Sequence, residues 1–364
     1  MSDKALQNLR DQIDDIDGQL LNLFNQRASC AVEVAKVKRA ASDDPSAVIN
    51  FFRPDREAQV IKRVKSLNQG PLSDDEVGRL IREVMSACLA LEQPLKIAYL
   101  GPEGTFTQSA ALKHFGNSVT TVPMSSIPDV FNSVESGHAD YGLVPVENST
   151  EGVISHTLDM FIDSNLKVCG EVEMRIHHHL ANLTQDVTQI RHIYSHQQSF
   201  AQCRRWLDQN FPGIERIPVS SNAEAARLAR QEPGAAAICG LPAVEIFGLS
   251  ICFENIEDLS DNTTRFVIIG NQVVAPSGND KTSMLISTKN YPGALLGLLQ
   301  PLADNKISMN KIESRPAPDR KWEYIFFIDV DGHQQTENVR KTLIQLEAQS
   351  ALFKILGSYP KASL

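Results

Sequence analysis

One pattern near the beginning of the chain restricts its architecture more than any other. Leu6, Leu9, Ile13, Ile16, Leu20, Leu23, Arg27, Cys30, Val34 and Val37 follow one another at steps of three and four without a break, the spacing of a single helix with a coiled-coil-like seam. Such a helix is about 55 Å long at ~1.5 Å per residue, far longer than a globule built from this part of the chain is wide. A second helix is favoured to begin at Pro54 and to stop before Gly70, because proline suits a first turn and glycine ends a last one. The capping box Ser73-x-x-Glu76 opens a third, with Val77, Ile81, Val84, Cys88 and Leu91 on one face. Residues 1–93 therefore read as an all-helical domain. Two shorter helices cannot cover the whole seam of the first, so a second copy of the chain is expected against it.

The seam admits one cation, Arg27. Lys38 lies 11 residues further on, about 16 Å along a helix, so both side chains can converge on a small ligand between them. Arg10 is 17 residues from Arg27, about 25 Å, and reaches that place only from an antiparallel partner helix. Arg56 and Glu57 of the second helix complete a cationic pocket suited to a small dianion. Leu9-Arg10-Asp11-Gln12-Ile13, Asn25-Gln26-Arg27, Val32 to Lys38 and Asp55-Arg56-Glu57 resemble the motifs of the all-α chorismate mutases, over nearly all of residues 4–93. The resemblance implies an intertwined dimer that rearranges chorismate to prephenate. Arg27, Lys38, Arg56, Glu57, Cys88 and Glu92 come from one chain and Arg10 from the other, with Lys38 and Glu92 at the breaking ether bond. Glu92 stands where some members carry glutamine, Cys88 where some carry serine and Arg53 where some carry an acidic residue. Glu92, four residues after Cys88, continues the seam side of its helix, and to donate to the ether oxygen it must be protonated.

Further along, a polar knot runs into a buried-looking strand at Asp261-Asn262-Thr263-Thr264-Arg265-Phe266-Val267-Ile268-Ile269. Alternation puts Thr264 and Phe266 on one face and Thr263 and Arg265 on the other, so only one threonine can share a pocket with Phe266. Upstream, a strand leads into Gly101-Pro102-Glu103-Gly104-Thr105-Phe106-Thr107, a turn before a helix that offers free backbone N–H groups to a carboxylate. A second strand delivers Glu147, Asn148, Ser149 and Thr150 to a helix start, and a third ends in Tyr194-Ser195-His196-Gln197-Gln198 before a helix through Gln202. Alternating strands and helices with polar loops at the strand ends favour an α/β sheet with a ligand cleft over residues 94–271. On a strand the middle ring of His177-His178-His179 faces away from its neighbours, so no metal is expected. Ser195 and His196 likewise point apart, which disfavours serine hydrolysis.

Gly101 to Thr107, Val144 to Ile154, His179-Leu180, Ser195 to Gln198 and Thr264-Arg265-Phe266, in that order, resemble prephenate dehydratase, with Gln197 where many members have proline. The resemblance implies two α/β subdomains arranged like a periplasmic solute-binding protein, with the active site in the cleft and no cofactor. It implies Thr264 as catalytic residue and Asn148, Ser195 and Gln202 as substrate-binding residues, with Glu147 and Ser149 nearby. In the implied reaction prephenate expels CO2 and hydroxide to become phenylpyruvate. Aromatisation drives it, so the enzyme need only assist the departing hydroxyl and leave the departing carboxylate poorly solvated.

Residues 280–364 read as strand, helix, strand, strand, helix, strand, the order of an α+β ferredoxin-like sandwich. Asn290-Tyr291-Pro292-Gly293-Ala294-Leu295-Leu296 and Glu313-Ser314-Arg315-Pro316 resemble the ACT regulatory domain of phenylalanine-controlled enzymes. That implies L-phenylalanine bound between paired domains by Asn290, Gly293, Ala294, Leu295, Glu313 and Ser314. A net charge of −9 without a basic stripe disfavours nucleic acid and anionic membranes. No run of 18 apolar residues occurs and the start is polar, so a protein of the cytoplasm is expected. Its scattered cysteines fit a reducing compartment. The whole resembles a multidomain bifunctional chorismate mutase/prephenate dehydratase with a phenylalanine sensor, acting as a homodimer or larger homo-oligomer. The alternative is a solute-binding protein with the cleft but no chemistry, against which the fused mutase-like helices count.

Overall fold

A computed structural model describes residues 2–41, 50–288, 291–316 and 324–362, which fall into two compact units. The smaller is helical, built from α1 (Ser2–Ala40), the part of α2 (Pro54–Leu67) from Val60 onward, and α3 (Asp74–Glu92). Proline occupies the first turn of α2, and the Ser73 hydroxyl accepts from the Glu76 N–H at 3.2 Å to cap α3, so both starts lie where local chemistry puts them. On α1, Ala35 is buried and Ala28, Ala31 and Val32 are half-buried. The seam read from the sequence lies elsewhere on the helix, with Leu9, Ile13 and Ile16 57%, 56% and 53% exposed.

The larger unit begins with β1 (Lys96–Leu100), α4 (Phe106–Phe115), β2 (Thr120–Met124), α5 (Ile127–Glu135), β3 (Tyr141–Asn148), β4 (Gly152–Val153), α6 (Ser155–Asp163) and β5 (Lys167–Arg175). The chain then crosses into a second lobe of β6 (His179–Asn182), β7 (His192–His196), α7 (Gln197–Gln202), α8 (Arg204–Asn210), β8 (Glu215–Val219), α9 (Asn222–Gln231), β9 (Ala235–Cys239), α10 (Leu241–Phe247) and β10 (Ser250–Phe253). It returns through β11 (Thr263–Gly270), which completes the first sheet, β2-β1-β3-β11-β5; the second sheet is β10-β6-β9-β7-β8. The third module is β12 (Asp280–Ser287), α11 (Ala294–Asp304), β13 (Met309–Pro316), β14 (Tyr324–Asp331), α12 (Glu337–Gln349) and β15 (Leu352–Pro360). Its antiparallel order, β13-β14-β12-β15, is the ferredoxin-like sandwich expected.

β11 runs antiparallel to both β3 and β5. Its sheet is covered on both faces, which is why Phe266 to Ile269 is an unbroken apolar run. Val267 and Ile269 pack in one cluster with Phe131, Val144 and Phe161 of the first lobe and with Leu285, Phe327, Leu356 and Tyr359 of the third module. A Cβ at Gly357 of β15 would overlap the Val168 carbonyl oxygen of β5, so only glycine permits this approach.

Candidate active sites

The cleft between the two lobes has a volume of about 270 Å³, and its wall contains Thr264 and Phe266 but neither Thr263 nor Arg265. β3 supplies Pro145 and Asn148. Residues three apart on a regular strand face opposite ways. The β3–β11 pairing slips between Arg265 and Phe266, so that Asn148 lies opposite Thr264 and Pro145 opposite Phe266, and this bulge turns both toward the cleft. The turn before α4 contributes Gly104 and Thr105, and the first residue of α4 contributes Phe106. A Cβ at Gly240 would stand 2.6 Å from the Phe106 ring, so that ring can lie against the second lobe only over a glycine. Among the described lining residues there is no lysine or arginine, and Glu151 is the one acid.

Two backbone amides set the direction of a hydrogen-bonded chain through this wall. The N–H groups of Thr150 and Glu151 donate to Asn148 Oδ1 at 3.0 and 3.1 Å, so the other end of that amide is the donor. Asn148 Nδ2 accordingly donates to Thr264 Oγ1 at 2.8 Å and to Asn262 Oδ1 at 2.9 Å. Asn262 Nδ2 then donates to Gln202 Oε1 at 3.0 Å, and Gln202 Nε2 to Thr150 Oγ1 at 3.1 Å and Glu151 Oε1 at 3.3 Å. Because Thr264 accepts from Asn148, its own hydroxyl hydrogen is left to donate into the cleft beside Phe266.

Ser195 is fully buried and outside the lining. Its hydroxyl lies 3.1 Å from Asn222 Oδ1 and 3.3 Å from the Ile238 carbonyl oxygen, so it braces Asn222, which does line the cleft. Ser149 is exposed and ties the turn to β11, accepting from the Thr263 N–H at 3.0 Å. Sequence reasoning passed over Asn222, Ser221 and His178, all in the wall. Ser221 and Asn222 carried a usable signal, since the Ser221 hydroxyl accepts from the Glu224 N–H at 3.0 Å as the N-cap of α9, a capping box visible in the sequence. The three consecutive histidines do not alternate on one strand: His177 Nδ1 meets Glu257 at 2.8 Å, His178 Nε2 meets Gln202 at 2.7 Å, and His179 Nδ1 accepts from Asn255 at 3.3 Å.

In the helical unit, Glu92 ends α3 one turn after buried Cys88. Burial raises its pKa, and the opposing fields of Lys38, Arg27 and Arg39 do not cancel that. Arg39, which the sequence did not single out, donates to the Glu92 carbonyl oxygen at 2.6 Å, and Lys38 lies 5.1 Å from the Phe51 ring centroid. Three cations thus converge on one half-buried acid, an arrangement that favours an added anion. Arg56 is exposed and Glu57 half-buried in the first turn of α2. Arg10 is exposed on the far part of α1.

Residues 9–93 match the family described as chorismate mutase type II, residues 97–273 that described as prephenate dehydratase, and residues 282–348 the ACT domain. A relative from Pseudomonas aeruginosa, named a bifunctional chorismate mutase/prephenate dehydratase, is 52% identical over 99% of this chain and 98% of its own. The chain belongs to the bifunctional chorismate mutase/prephenate dehydratase family. Among solved structures, a prephenate dehydratase from Arthrobacter aurescens in complex with L-Phe superposes with a TM-score of 0.68 at 32% identity, over 74% of this chain and 90% of that one. A protein described as a quorum-quenching acylase, GqqA, reaches the same TM-score of 0.68 at 28% identity, over 74% and 98%. The lobed fold alone therefore does not fix the reaction, and the cleft residues must.

In this member of the bifunctional family the ACT module grips the dehydratase lobe through charge. Arg265, pointing away from the cleft, bonds Glu171 at 2.8 Å, Asp329 of β14 at 2.7 Å and the Tyr359 hydroxyl of β15 at 3.0 Å. Burial works against its charge, but Tyr359, Asp329 and Glu171 more than offset that and raise its pKa. Lys311 of β13 pairs with Glu147 at 2.6 Å, and Arg315 with Asp159 of α6 at 2.9 Å. Of the expected phenylalanine residues, Asn290 lies outside the described residues. Gly293 is the N-cap of α11 with φ +84°, Ala294 is buried and Leu295 is 38% exposed. Glu313 and Ser314 are neighbours on β13 and so face opposite ways, Glu313 on the side of Lys311 and Arg315.

Proposed function

We propose that this chain rearranges chorismate to prephenate in its helical unit, dehydrates prephenate to phenylpyruvate in the cleft, and is restrained by L-phenylalanine at its ACT module. The observation that carries the reading is the Thr264 hydroxyl. Its oxygen accepts from Asn148 at 2.8 Å, which polarises the O–H it offers to the departing hydroxyl of prephenate. The cleft wall lacks a described cation, so the departing carboxylate is not stabilised as a carboxylate, and its electrons move into the ring as the C–O bond breaks. Phe266 supplies a dry wall beside it. Asn148 lines the cleft and acts on the substrate through the Thr264 oxygen it holds, and Ser195 acts from behind through Asn222.

In the mutase reading, Arg27, Lys38 and Arg39 attract the two substrate carboxylates, and protonated Glu92 donates to the ether oxygen on which negative charge builds. The exposed row Leu9, Ile13 and Ile16 supports a helical dimer, through which Arg10 reaches the partner's pocket. A cytoplasmic location fits the six free cysteines. Purified protein given chorismate should accumulate phenylpyruvate. Thr264→Ala should stop at prephenate, with dehydratase kcat lower by roughly 10²-fold and mutase turnover unchanged. Dehydration by Thr264→Ala at the wild-type rate would remove Thr264 from the mechanism.

A further inference from the structure

We infer that His178 is a positioning residue of the dehydratase, holding Gln202 as a latch between the lobes at the aperture where Thr264 meets the substrate. The inference rests on the cleft being the dehydratase site. His178 sits where the chain first crosses between lobes, after β5 and before β6, and is 1% exposed. The outgoing and returning segments are stitched together there. The Ile176 N–H donates to the Asn262 carbonyl and the Ile256 N–H to the His178 carbonyl, both at 2.8 Å. The His178 N–H itself donates to Glu257 Oε2 at 2.9 Å. Its backbone therefore belongs to the hinge.

The ring reaches from the hinge to Gln202 Oε1 at 2.7 Å. Gln202 belongs to α7 in the second lobe, while the Thr150 and Glu151 oxygens that its Nε2 holds belong to the β3–β4 turn in the first. An amide side chain has two acceptor and two donor positions, and His178, Asn262, Thr150 and Glu151 occupy all of them. Gln202 has none left for a ligand, so its work is to join the lobes.

The direction of the chain fixes the state of the ring. Since Gln202 Oε1 can only accept, His178 Nε2 must carry the hydrogen, and a neutral ring then leaves Nδ1 bare. Nδ1 is buried without a hydrogen-bond partner among the described residues, so protonating it would create a donor with nothing to accept it. The groups around the ring are Gln202, Glu257, His177, His179 and the edge-on ring of Phe106, 5.6 Å away. Burial lowers the His178 pKa; Gln202 and Glu257 oppose the shift, while His179 and His177 add to it. The latch is a neutral Nε2–H donor, and burial keeps it so down to below the ordinary histidine range.

His178→Phe keeps a ring and removes the donor, whereas His178→Gln brings an amide N–H to nearly the same place. His178→Phe should lower dehydratase kcat roughly 10- to 100-fold, the scale of one lost buried hydrogen bond. KM should stay within about threefold, His178→Gln should recover most of the loss, and mutase turnover should be equal in all. The proposal is overturned by an unchanged kcat in His178→Phe, by a loss that falls on KM instead, or by a glutamine variant no better than phenylalanine. Failure of the underlying cleft reading would show separately, as full activity in Thr264→Ala. Should His178→Phe misfold, nitrogen-15 NMR of histidine-labelled wild-type protein decides. The His178 ring should keep its proton on Nε2 and titrate, if at all, below the ordinary histidine range, and a ring that titrates within or above that range or carries its proton on Nδ1 overturns the proposal.

Discussion

Replacing Arg265 by methionine removes the cation that joins β11 to the ACT module. Arg265 and Lys281 balance Glu171 and Asp329, and the side chains of Arg265, Glu171 and Asp329 are 12%, 2% and 11% exposed. Without Arg265 this buried group carries a net negative charge. The burden is unequal, since Glu171 keeps Lys281 at 2.8 and 2.9 Å and the Ala362 N–H at 3.0 Å, while Asp329 keeps the Ser283 hydroxyl at 2.5 Å. Breaking a buried pair by deleting one partner costs about 3–5 kcal/mol, and the surviving lysine argues for the lower part, about 3–4 kcal/mol. In scanning calorimetry the transition of the dehydratase–ACT unit should therefore fall by about 6–16 °C, at ~2–4 °C per kcal/mol. Adding Asp329→Asn restores neutrality and should recover at least about half of the loss, a coupling of roughly 2 kcal/mol. A single variant that loses less than about 1 kcal/mol, or a double variant in which the two costs simply add, would show that charge balance does not hold this cluster together.

Burial raises the Glu92 pKa, so its proton is present below that raised value and lost above it. Mutase kcat/KM should fall as pH rises through that value, whereas Glu92→Gln should show a flat profile and keep its activity at high pH; parallel profiles would exclude Glu92 as the ether-oxygen donor. By the same linkage, the stability that this proton contributes is present below the ordinary glutamate range and lost as pH rises through the folded-state value. Titration of the intact protein with L-phenylalanine should give a binding heat and inhibit the dehydratase, and the absence of both would remove the regulatory role of the ACT module.

What the sequence revealed and what it hid divide along the range of the signal. The face shared by Thr264 and Phe266 follows from alternation alone, and the starts of α2 and α3 follow from Pro54 and Ser73. Asn148 joins Thr264 because of a bulge on the neighbouring strand, which a single strand's pattern does not contain. The length of α1 was legible from its period, but the positions covered within the chain, Ala28, Ala31, Val32 and Ala35, are mostly alanines with little hydrophobic contrast. Ser195 was visible as part of a motif, yet its depth beneath the cleft depends on β9, whose Ile238 carbonyl lies 3.3 Å from it. His178 was misjudged as a strand residue because a crossing between lobes has no local period. Its role is set by Gln202, 24 residues away.

The apolar cluster that holds Val267 and Ile269 together with Leu285, Phe327, Leu356 and Tyr359 bears on how this enzyme can be deregulated. Truncation before residue 280 would open that cluster to water and strip Lys281 and Asp329 from Glu171 and Arg265. A shortened chain would then report a damaged catalytic lobe rather than a liberated one. Variants insensitive to the end product are to be sought as point changes at the proposed effector residues of α11 and β13, with the rest of the module left in place. The same continuity means that gene fusions or swaps should carry residues 96 to 364 as one inherited block, with the seam for recombination just before β1.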